Sequence, residues 1–519
     1  MNHKDQTVRI EGQIATYWEL VDRLRADRHR PGYHFVPPAG WMNDVNGSIF
    51  WKGRYHIFYQ HNPDGGYWNW MQWGHASSVD LVHWVDHPIA LTPTEDGGDW
   101  EGCFSGGAFV NKAGVVTFIY YGLNEGICLA TSDDDMLLKW TKHPGNPVIP
   151  EPVEGDADFG RYTLGDPCAW VEGETYYAAV NRADPKGQGD GAYLFKSTDL
   201  DRWEFVDLFY ESDRKWTEAD EDCAVPDVYR LGDKWMLLFC SHLKATQYYL
   251  GQIVKERFVP QRHGMMSWGA GNLGGPRTLL DGRGRRIFSD WIGEVRDPQV
   301  QRRYGWAGVM TLPRVLSLAA DGTLRIEPIE ELEVLRVNEW VIGDVELDAD
   351  SEVTLEEIAG DSLELAMEFE PQGAQAFGVK VRCSPEGQEQ TVIACAPAPG
   401  AARGNGTPAD MTPAAGELRV ELGQSTLDDT VRYPLYRGKS DAQRDVDAQV
   451  APFELGDGER LNLRVFVDRS VVEVYANGRQ CVTQRIYPTR DDSVGVRLFA
   501  RGGKATARSV RGWEMAPTH

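Results

Sequence analysis

A chain of 519 residues carrying 42% hydrophobic and 11% aromatic residues is too long for a single core and divides into two or three domains. Its formal net charge of -25 and pI near 4.9 exclude nucleic acid and anionic membrane as partners, since both require a basic face. A neutral substrate such as a carbohydrate is compatible with that charge.

The first residues, Met1-Asn2-His3-Lys4-Asp5-Gln6, contain no apolar leader, and no run approaches 18 apolar residues. The expected location is therefore cytoplasmic, although a leader removed before this numbering would leave the same sequence. Between residues 11 and 28, Ile14, Tyr17, Trp18, Val21 and Leu24 recur at helical spacing, with Glu19, Asp22 and Arg23 between them. One amphipathic helix is predicted there, within an extension over 1–31. Arg23, Arg25, Arg28 and Arg30 at its end read as a solvated face.

From residue 32 the texture changes to short β-type runs punctuated by glycine. Between residues 41 and 84 stand six tryptophans (41, 51, 68, 70, 73 and 84), a density suited to a core or to sugar stacking. A strand, a tight turn and a second strand recur about Gly53, Gly114, Gly173, Gly232 and Gly284, spaced by 61, 59, 59 and 52 residues. A second marker runs in step. Ser78-Val79-Asp80-Leu81 leading to Trp84 resembles Ser197-Thr198-Asp199-Leu200 leading to Trp203, with Ser132-Asp133-Asp134 and Trp140 as a looser copy. Two markers sharing one period of 50–60 residues predict repeated four-stranded sheets, hence a five-bladed β-propeller over 32–335. A Glu-rich connector follows at 326–337. Alternating runs such as Leu363-Glu364-Leu365-Ala366-Met367 and Leu461-Asn462-Leu463-Arg464-Val465 then predict a β-sandwich over 345–519. The Ala/Pro/Gly-rich segment 396–416 reads as a surface loop or insertion. The predicted class is all-β: propeller, then C-terminal sandwich, with a short N-terminal helix.

Inner strands of a propeller converge on a central channel, so carboxylates from different blades meet there. Asp44, Asp166 and Glu221 precede their turn glycines by the similar offsets of 9, 7 and 11 residues. Crowded carboxylates repel one another and raise at least one pKa. Glycoside hydrolysis uses such a set, as nucleophile and as general acid. The eight cysteines contain no Cys-x-x-Cys pair and the twelve histidines no pair at ligand spacing, so neither metal nor cofactor is expected.

These residues resemble glycoside hydrolase family 32, the invertase, inulinase, levanase and fructosyltransferase group. Trp41-Met42-Asn43-Asp44-Val45-Asn46-Gly47 is similar to that family's Trp-Met-Asn-Asp-Pro-Asn-Gly motif. Phe58-Tyr59-Gln60-His61-Asn62-Pro63, the stretch from Trp68 to Ala76, and Phe104-Ser105-Gly106-Gly107 follow at the family's distances. Asp166-Pro167 stands where the family has Arg-Asp-Pro, and the stretch from Glu221 to Asp227 where it has Glu-Cys-Pro-Asp. Phe466-Val467-Asp468-Arg469-Ser470-Val471-Val472-Glu473 is similar to its sandwich motif.

The resemblance implies Asp44 as nucleophile, Asp166 as transition-state stabiliser and Glu221 as acid/base, with configuration retained. It implies Asn43, Gln60, Trp68, Phe104 and Ser105 as the lining of a fructose pocket. Four positions depart from the family pattern. Val45 replaces a proline. Gly165 replaces the arginine beside Asp166, with Arg161 the candidate to restore its charge, while the literal Arg296-Asp297-Pro298 reads as a decoy in a loop. The acid motif holds additional residues, so that Glu221 or Asp222 supplies the acid, Glu221 being favoured by its longer arm. Gly274-Gly275-Pro276-Arg277 replaces Tyr-Ala-Pro-Gln. The expected activity is release of terminal fructose from sucrose or a fructan. Fructosyl transfer, an inactive fructan-binding homologue and an arabinofuranosidase are the competing readings, and the sandwich is a candidate dimer surface.

Overall fold

The computed structural model describes residues 9–10, 13–14, 17–183, 188–396, 416–435 and 445–518. Five sheets follow one another from Gly40 to Pro328, each with its first strand nearest the common axis. These inner strands are Gly40–Trp51 (blade I), Cys103–Val110 (II), Pro167–Glu172 (III), Ala224–Leu231 (IV) and Leu273–Leu280 (V). Each packs against the next, and the fifth returns to the first, closing a propeller. Closure is reinforced by Trp306–Ala307, which pairs in parallel with Gly40 and Trp41 at the edge of blade I.

The two sequence markers have distinct physical origins. Gly53, Gly114, Gly173, Gly232 and Gly284 all occupy the hairpin joining the first and second strands of their blades, and all have φ between +58° and +80°. A side chain there would be strained, which explains the recurrence of glycine. The Ser-x-Asp-Leu marker is the turn between third and fourth strands. Asp80 accepts from the backbone of Val82 and His83, and Asp199 does the same for Asp201 and Arg202. Leu81, Leu137 and Leu200 carry positive φ at equivalent places, and Trp140 and Trp203 donate to the Leu137 and Leu200 carbonyls.

Four of the five inner strands carry a register shift at their leading ends: Met42/Val45, Cys103/Gly106, Ala224/Asp227 and Gly274/Arg277. Such bulges re-aim side chains that a regular strand would alternate across the sheet. In blade III, Asp166 lies immediately before the strand. The head of the channel is thus built from irregular backbone held by regular blades.

The last propeller strand, Leu324–Pro328, leads through a 3-10 turn at Glu330–Leu335 into Arg336–Leu347, already a strand of the second unit. The sandwich strands therefore begin before residue 345, because the connector is one short turn rather than a linker. Two six-stranded antiparallel sheets follow, enclosing a core that includes Leu365, Phe369, Phe377, Val465, Val474 and Leu498. Most of the Ala/Pro/Gly-rich segment lies outside the described residues. The N-terminal helix spans Tyr17–Ala26, shorter than the periodicity suggests, because Ile14 lies in a two-residue strand, Gln13–Ile14, that pairs with Arg9–Ile10. Nor is its end simply solvated. Arg28 donates to the carbonyls of Thr489 and Arg490, and Arg30 to those of Pro37 and Pro38.

Propeller and sandwich share buried charge. Asp468 accepts from the backbone N–H groups of Gly32, Tyr33 and His34 at 2.6–2.9 Å, and His34 Nδ1 lies 2.9 Å from it. Glu473 accepts from Leu312 N, Arg314 and Tyr475. Against burial, the hydrogen bond from His34 keeps the Asp468 carboxyl below its usual range, and the Arg314 charge, aided by His34, does so for Glu473. The sandwich motif seen in the sequence is therefore an interdomain clamp. Arg296, in the literal Arg-Asp-Pro, belongs to a second such cluster with Asp27 and Glu294, while Asp297 caps the helix Pro298–Tyr304. All eight cysteines are free and buried. Among the described residues no helix is long and apolar enough to cross a membrane.

Several histidines are buried where desolvation outweighs any counter-charge. Burial holds His56 and His61 down to about 4 and His75, stacked on Phe58, down to about 2. Neutral in the fold, they titrate near 6.5 once unfolded. The unfolded state therefore gains protons as pH falls below about 6.5, and stability is lost between there and about pH 4. Urea midpoints measured at half-unit steps from pH 8 to 4 should show this decline, made shallower by His75→Gln.

Candidate active site

The bulge between Met42 and Val45 places Asp44 at the head of blade I. Its carboxylate is fixed from two blades: Ser105 Oγ donates to Oδ2 at 2.6 Å, and Asn43 Nδ2 to Oδ1 at 3.0 Å. Asn43 is itself set by the Trp41 indole N–H at 2.7 Å. Asp44 also packs onto the backbone of blade V. Gly275 has φ +78°, and a Cβ there would lie 2.6 Å from Asp44 Cα and closer still to the carboxylate. The altered Gly274-Gly275 is thus the floor on which Asp44 rests.

Asp166 faces the same space. Burial raises its pKa to about 6, the nearby Asp44 carboxylate adds to this, and Arg277, His242 and the Val225 N–H oppose it. Two sequence departures acquire reasons here. The additional residues of the acid motif form the Ala224/Asp227 bulge, whose Val225, at φ +50°, presents its N–H to Asp166. The space beside Gly165 is filled by Asn181: a Cβ on residue 165 would lie 2.8 Å from Asn181 Cγ, with the amide oxygen closer. Arg277 supplies buried positive charge instead. It is 2% exposed and anchored to the carbonyls of Pro226 and Pro167. Arg161 does not take this role, because it is exposed, paired with Asp158, and lies over Phe205 on the outer strand of blade III.

The acid motif divides its two carboxylates between opposite environments. Glu221 is fully buried. Gln247 donates to its Oε2 at 2.6 Å, the Glu218 N–H to its Oε1 at 2.8 Å, and Lys244 stands 3.4 Å away. Asp222 is engaged by a different partner: the His242 backbone N–H and Nδ1 meet its two oxygens at 2.8 and 2.6 Å. His242 was not singled out in the sequence. Its hydrogen bond to Asp222, aided by the charges of Asp222, Asp44 and Asp166 against some desolvation, holds its pKa up to about 9. Of the two carboxylates that the sequence offered as the acid, Glu221 is thus enclosed by protein donors and Asp222 is set beside His242.

Of the expected pocket lining, Trp68 is 56% exposed and meets Phe104 edge-on at 6.0 Å. Ser105 is bound to Asp44. Gln60 is buried and donates to the Cys103 carbonyl, so it supports blade II behind the channel. Among the described residues no group of three or more His, Cys, Asp or Glu side chains is arranged to hold a metal.

Convergent carboxylates at the head of a five-bladed propeller, beside exposed aromatic rings and braced by a sandwich, define a glycoside-hydrolase type of site. The family model for the glycosyl hydrolases family 32 N-terminal domain matches residues 34–328, and that for the family 32 C terminal matches residues 331–514. A sucrose-6-phosphate hydrolase of Zymomonas mobilis subsp. mobilis is 31% identical, the match covering 95% of this chain and 93% of that protein. A levanase of Bacillus subtilis is 30% identical over 93% of this chain and 70% of its own length. Among solved structures, fructan 1-exohydrolase IIa from Cichorium intybus aligns with a TM-score of 0.77 at 25% identity, covering 95% and 98% of the two chains. The chain belongs to glycoside hydrolase family 32. It is a β-fructofuranosidase-like glycoside hydrolase.

Gly275→Ala tests the packing beneath Asp44. The added methyl must displace the carboxylate, and displacement of a reacting group by about 1 Å costs on the order of 100-fold in rate. The expected result is a fall of that order in kcat with KM little changed, measured by initial rates on sucrose.

Proposed function

We propose that the chain is a retaining β-fructofuranosidase releasing terminal fructosyl units from sucrose or a fructan. The observation that carries this is Asp44, pinned by Ser105 and Asn43 with its reactive edge at the head of the channel. In this reading Asp44 attacks the anomeric carbon, and the leaving oxygen takes a proton from the acid motif, supplied by Glu221 or by its neighbour Asp222. Water then releases fructose and regenerates the carboxylate. Asp166 accepts hydrogen bonds from fructose hydroxyls that strengthen as positive charge develops on the ring. Trp68 and Phe104 offer apolar faces to the sugar at the mouth.

The charge around the site favours an unphosphorylated substrate. Its cations are already engaged: His242 by Asp222, Arg277 by two carbonyls, and Lys244 by Glu218 at 2.6 Å. A phosphate would meet Asp44, Asp166 and Asp222 with these cations spent. Product chromatography on sucrose, sucrose 6-phosphate, inulin and levan tests the reading. Expected are glucose and fructose from sucrose, a kcat/KM on sucrose at least about tenfold above that on its 6-phosphate, and turnover lost by about 10⁴-fold or more in Asp44→Asn. No turnover on any fructoside would contradict it, and oligomeric fructans from sucrose would redirect it to transfer.

A further inference from the structure

We propose that Trp70 and Trp100 form a second sugar-binding platform at the mouth of the channel, which holds the body of a fructan chain while its terminal unit occupies the pocket. The platform presupposes the fructosidase activity proposed above and sets its preferred substrate, a chain rather than the disaccharide. Among the described side chains four large aromatic ones stand open to solvent: Trp68 and Phe159 at 56%, Trp100 at 44% and Trp70 at 36%. In an antiparallel blade the start of the first strand, the loop between second and third strands and the exit of the fourth strand share one end. Trp68 and Trp70 lie between Arg54–Asn62 and Gln72–Ser78, the second and third strands of blade I. Trp100 lies between Trp84–Leu91, the fourth strand of that blade, and Cys103–Val110. Phe159 precedes Pro167–Glu172, the first strand of blade III. All four therefore belong to the end that carries Asp44, on the rim of blades I to III. Uncovered aromatic surface gathered on one rim marks a place where something binds.

The rim repeats one arrangement. Trp68 meets Phe104 edge-on at 6.0 Å and 76°, and Trp70 meets Trp100 edge-on at 5.9 Å and 76°. Both pairs come from the same two segments, 68–70 and 100–104, tied together by the Cys103 N–H on the Met71 carbonyl at 3.0 Å. The second pair is rigid. The Trp70 indole N–H donates to the Trp100 carbonyl at 2.9 Å, and the Trp100 N–H to the Gly97 carbonyl at 3.1 Å. Beside it Asp99 is buried and accepts from the Thr94 N–H, the Tyr120 hydroxyl and Lys142. One residue of the turn is anchored inwards and its neighbour is held outwards in a fixed place, so binding has little left to order.

The chemistry of the rim selects a sugar chain. An aromatic face packs against the C–H face of a sugar ring, while the hydroxyls at the ring's edge need polar partners. These stand beside Trp100. Glu101 accepts from Asn124 Nδ2 at 2.6 Å, and the Tyr121 hydroxyl accepts from the Asn124 N–H at 3.1 Å, with the Tyr121 ring 6.4 Å from Phe104. Glu95, Asp96 and Glu101 belong to the same connection, so the rim repels an anionic polymer and accepts a neutral one. Trp70 is two residues from Trp68 and Trp100 four from Phe104, so a chain that ends on the first pair continues onto the second. Sucrose has a single unit beyond its fructosyl group, whereas a fructan has further units for the second pair.

Initial rates on sucrose, long-chain inulin and long-chain levan test the platform. In the wild type, kcat/KM per chain end should rise from sucrose to the fructan whose linkage follows the rim. Replacing both rings, Trp70→Ala with Trp100→Ala, should lower the ratio of kcat/KM on that fructan to kcat/KM on sucrose by about tenfold or more, the loss falling on KM. Trp100→Tyr keeps a flat face and should retain most of the ratio that Trp100→Ala loses, which separates lost stacking from a disturbed loop. Calorimetric titration of the Asp44→Asn protein reads binding without turnover: the fructan should bind about tenfold more weakly once both tryptophans are replaced, and a linear glucan should not bind. The platform is ruled out if the double variant keeps the ratio within about twofold, if Trp100→Tyr falls as far as Trp100→Ala, or if the glucan binds as well as the fructan. The two levels separate cleanly. Sucrose turnover with an unchanged ratio overturns the platform alone, whereas fructan binding through these rings without turnover of any fructoside overturns the fructosidase reading and leaves the platform standing.

Discussion

Like charge gathered in a small space is the constraint on which this structure depends. Asp44, Asp166 and Asp222 come from blades I, III and IV, and left alone they would drive the head of the channel apart or take up protons. Three features offset the repulsion without removing the carboxylates. Arg277 lies buried beneath Asp166, the Val225 N–H is presented to it by a bulge, and His242 closes over Asp222. Each is a local departure from regular strand or from the family's pattern. Gly165 without its arginine is thus part of a rearranged set of counter-charges in which Asn181 fills the space and Arg277 supplies the charge. Local irregularity of this kind is characteristic of sites that trade stability for function.

The sandwich contributes to this arrangement from a distance. Asp468 gathers three consecutive backbone N–H groups at Gly32, Tyr33 and His34, just before the chain enters blade I. Glu473 holds Leu312 and Arg314 where blade V turns back. Both ends of the propeller are thereby fastened to the same pair of sandwich strands. A five-bladed ring closed by packing of the fifth inner strand on the first, and reinforced by two parallel residue pairs at Trp306–Ala307, gains from such an external brace. Removing one member of a buried charge pair typically costs about 3–5 kcal/mol, which places the clamp among the larger single contributions to integrity.

The architecture was legible in the sequence because its signals are steric. A left-handed hairpin position admits glycine with little alternative, so the five turn glycines repeat with the blades. The Ser-x-Asp-Leu turn repeats because its aspartate satisfies backbone donors that no apolar residue could. Asp44 and Asp166 were legible from their place before those turns and from the family motif. What escaped depends on side-chain direction. Glu221 and Asp222 are adjacent, and nothing in their order says which one faces the channel. His242 follows an apolar strand as an isolated histidine, a pattern without chemical signature until Asp222 is placed beside it. Arg161 was proposed from proximity in sequence, whereas the compensating Arg277 lies 112 residues from Gly165 and reaches it only through the ring of blades. The helix was read too long because Ile14 fits helical spacing but pairs as a strand.

The central claim is that Asp44 becomes covalently attached to the fructosyl group. Rapid acid quenching during turnover of a fructoside, followed by peptide mapping with mass spectrometry, tests it directly. The account predicts a fructosyl adduct of about 162 Da on the peptide containing Asp44, absent from Asp44→Asn. An adduct on another carboxylate, or steady turnover that releases the inverted anomer with no adduct, would contradict it.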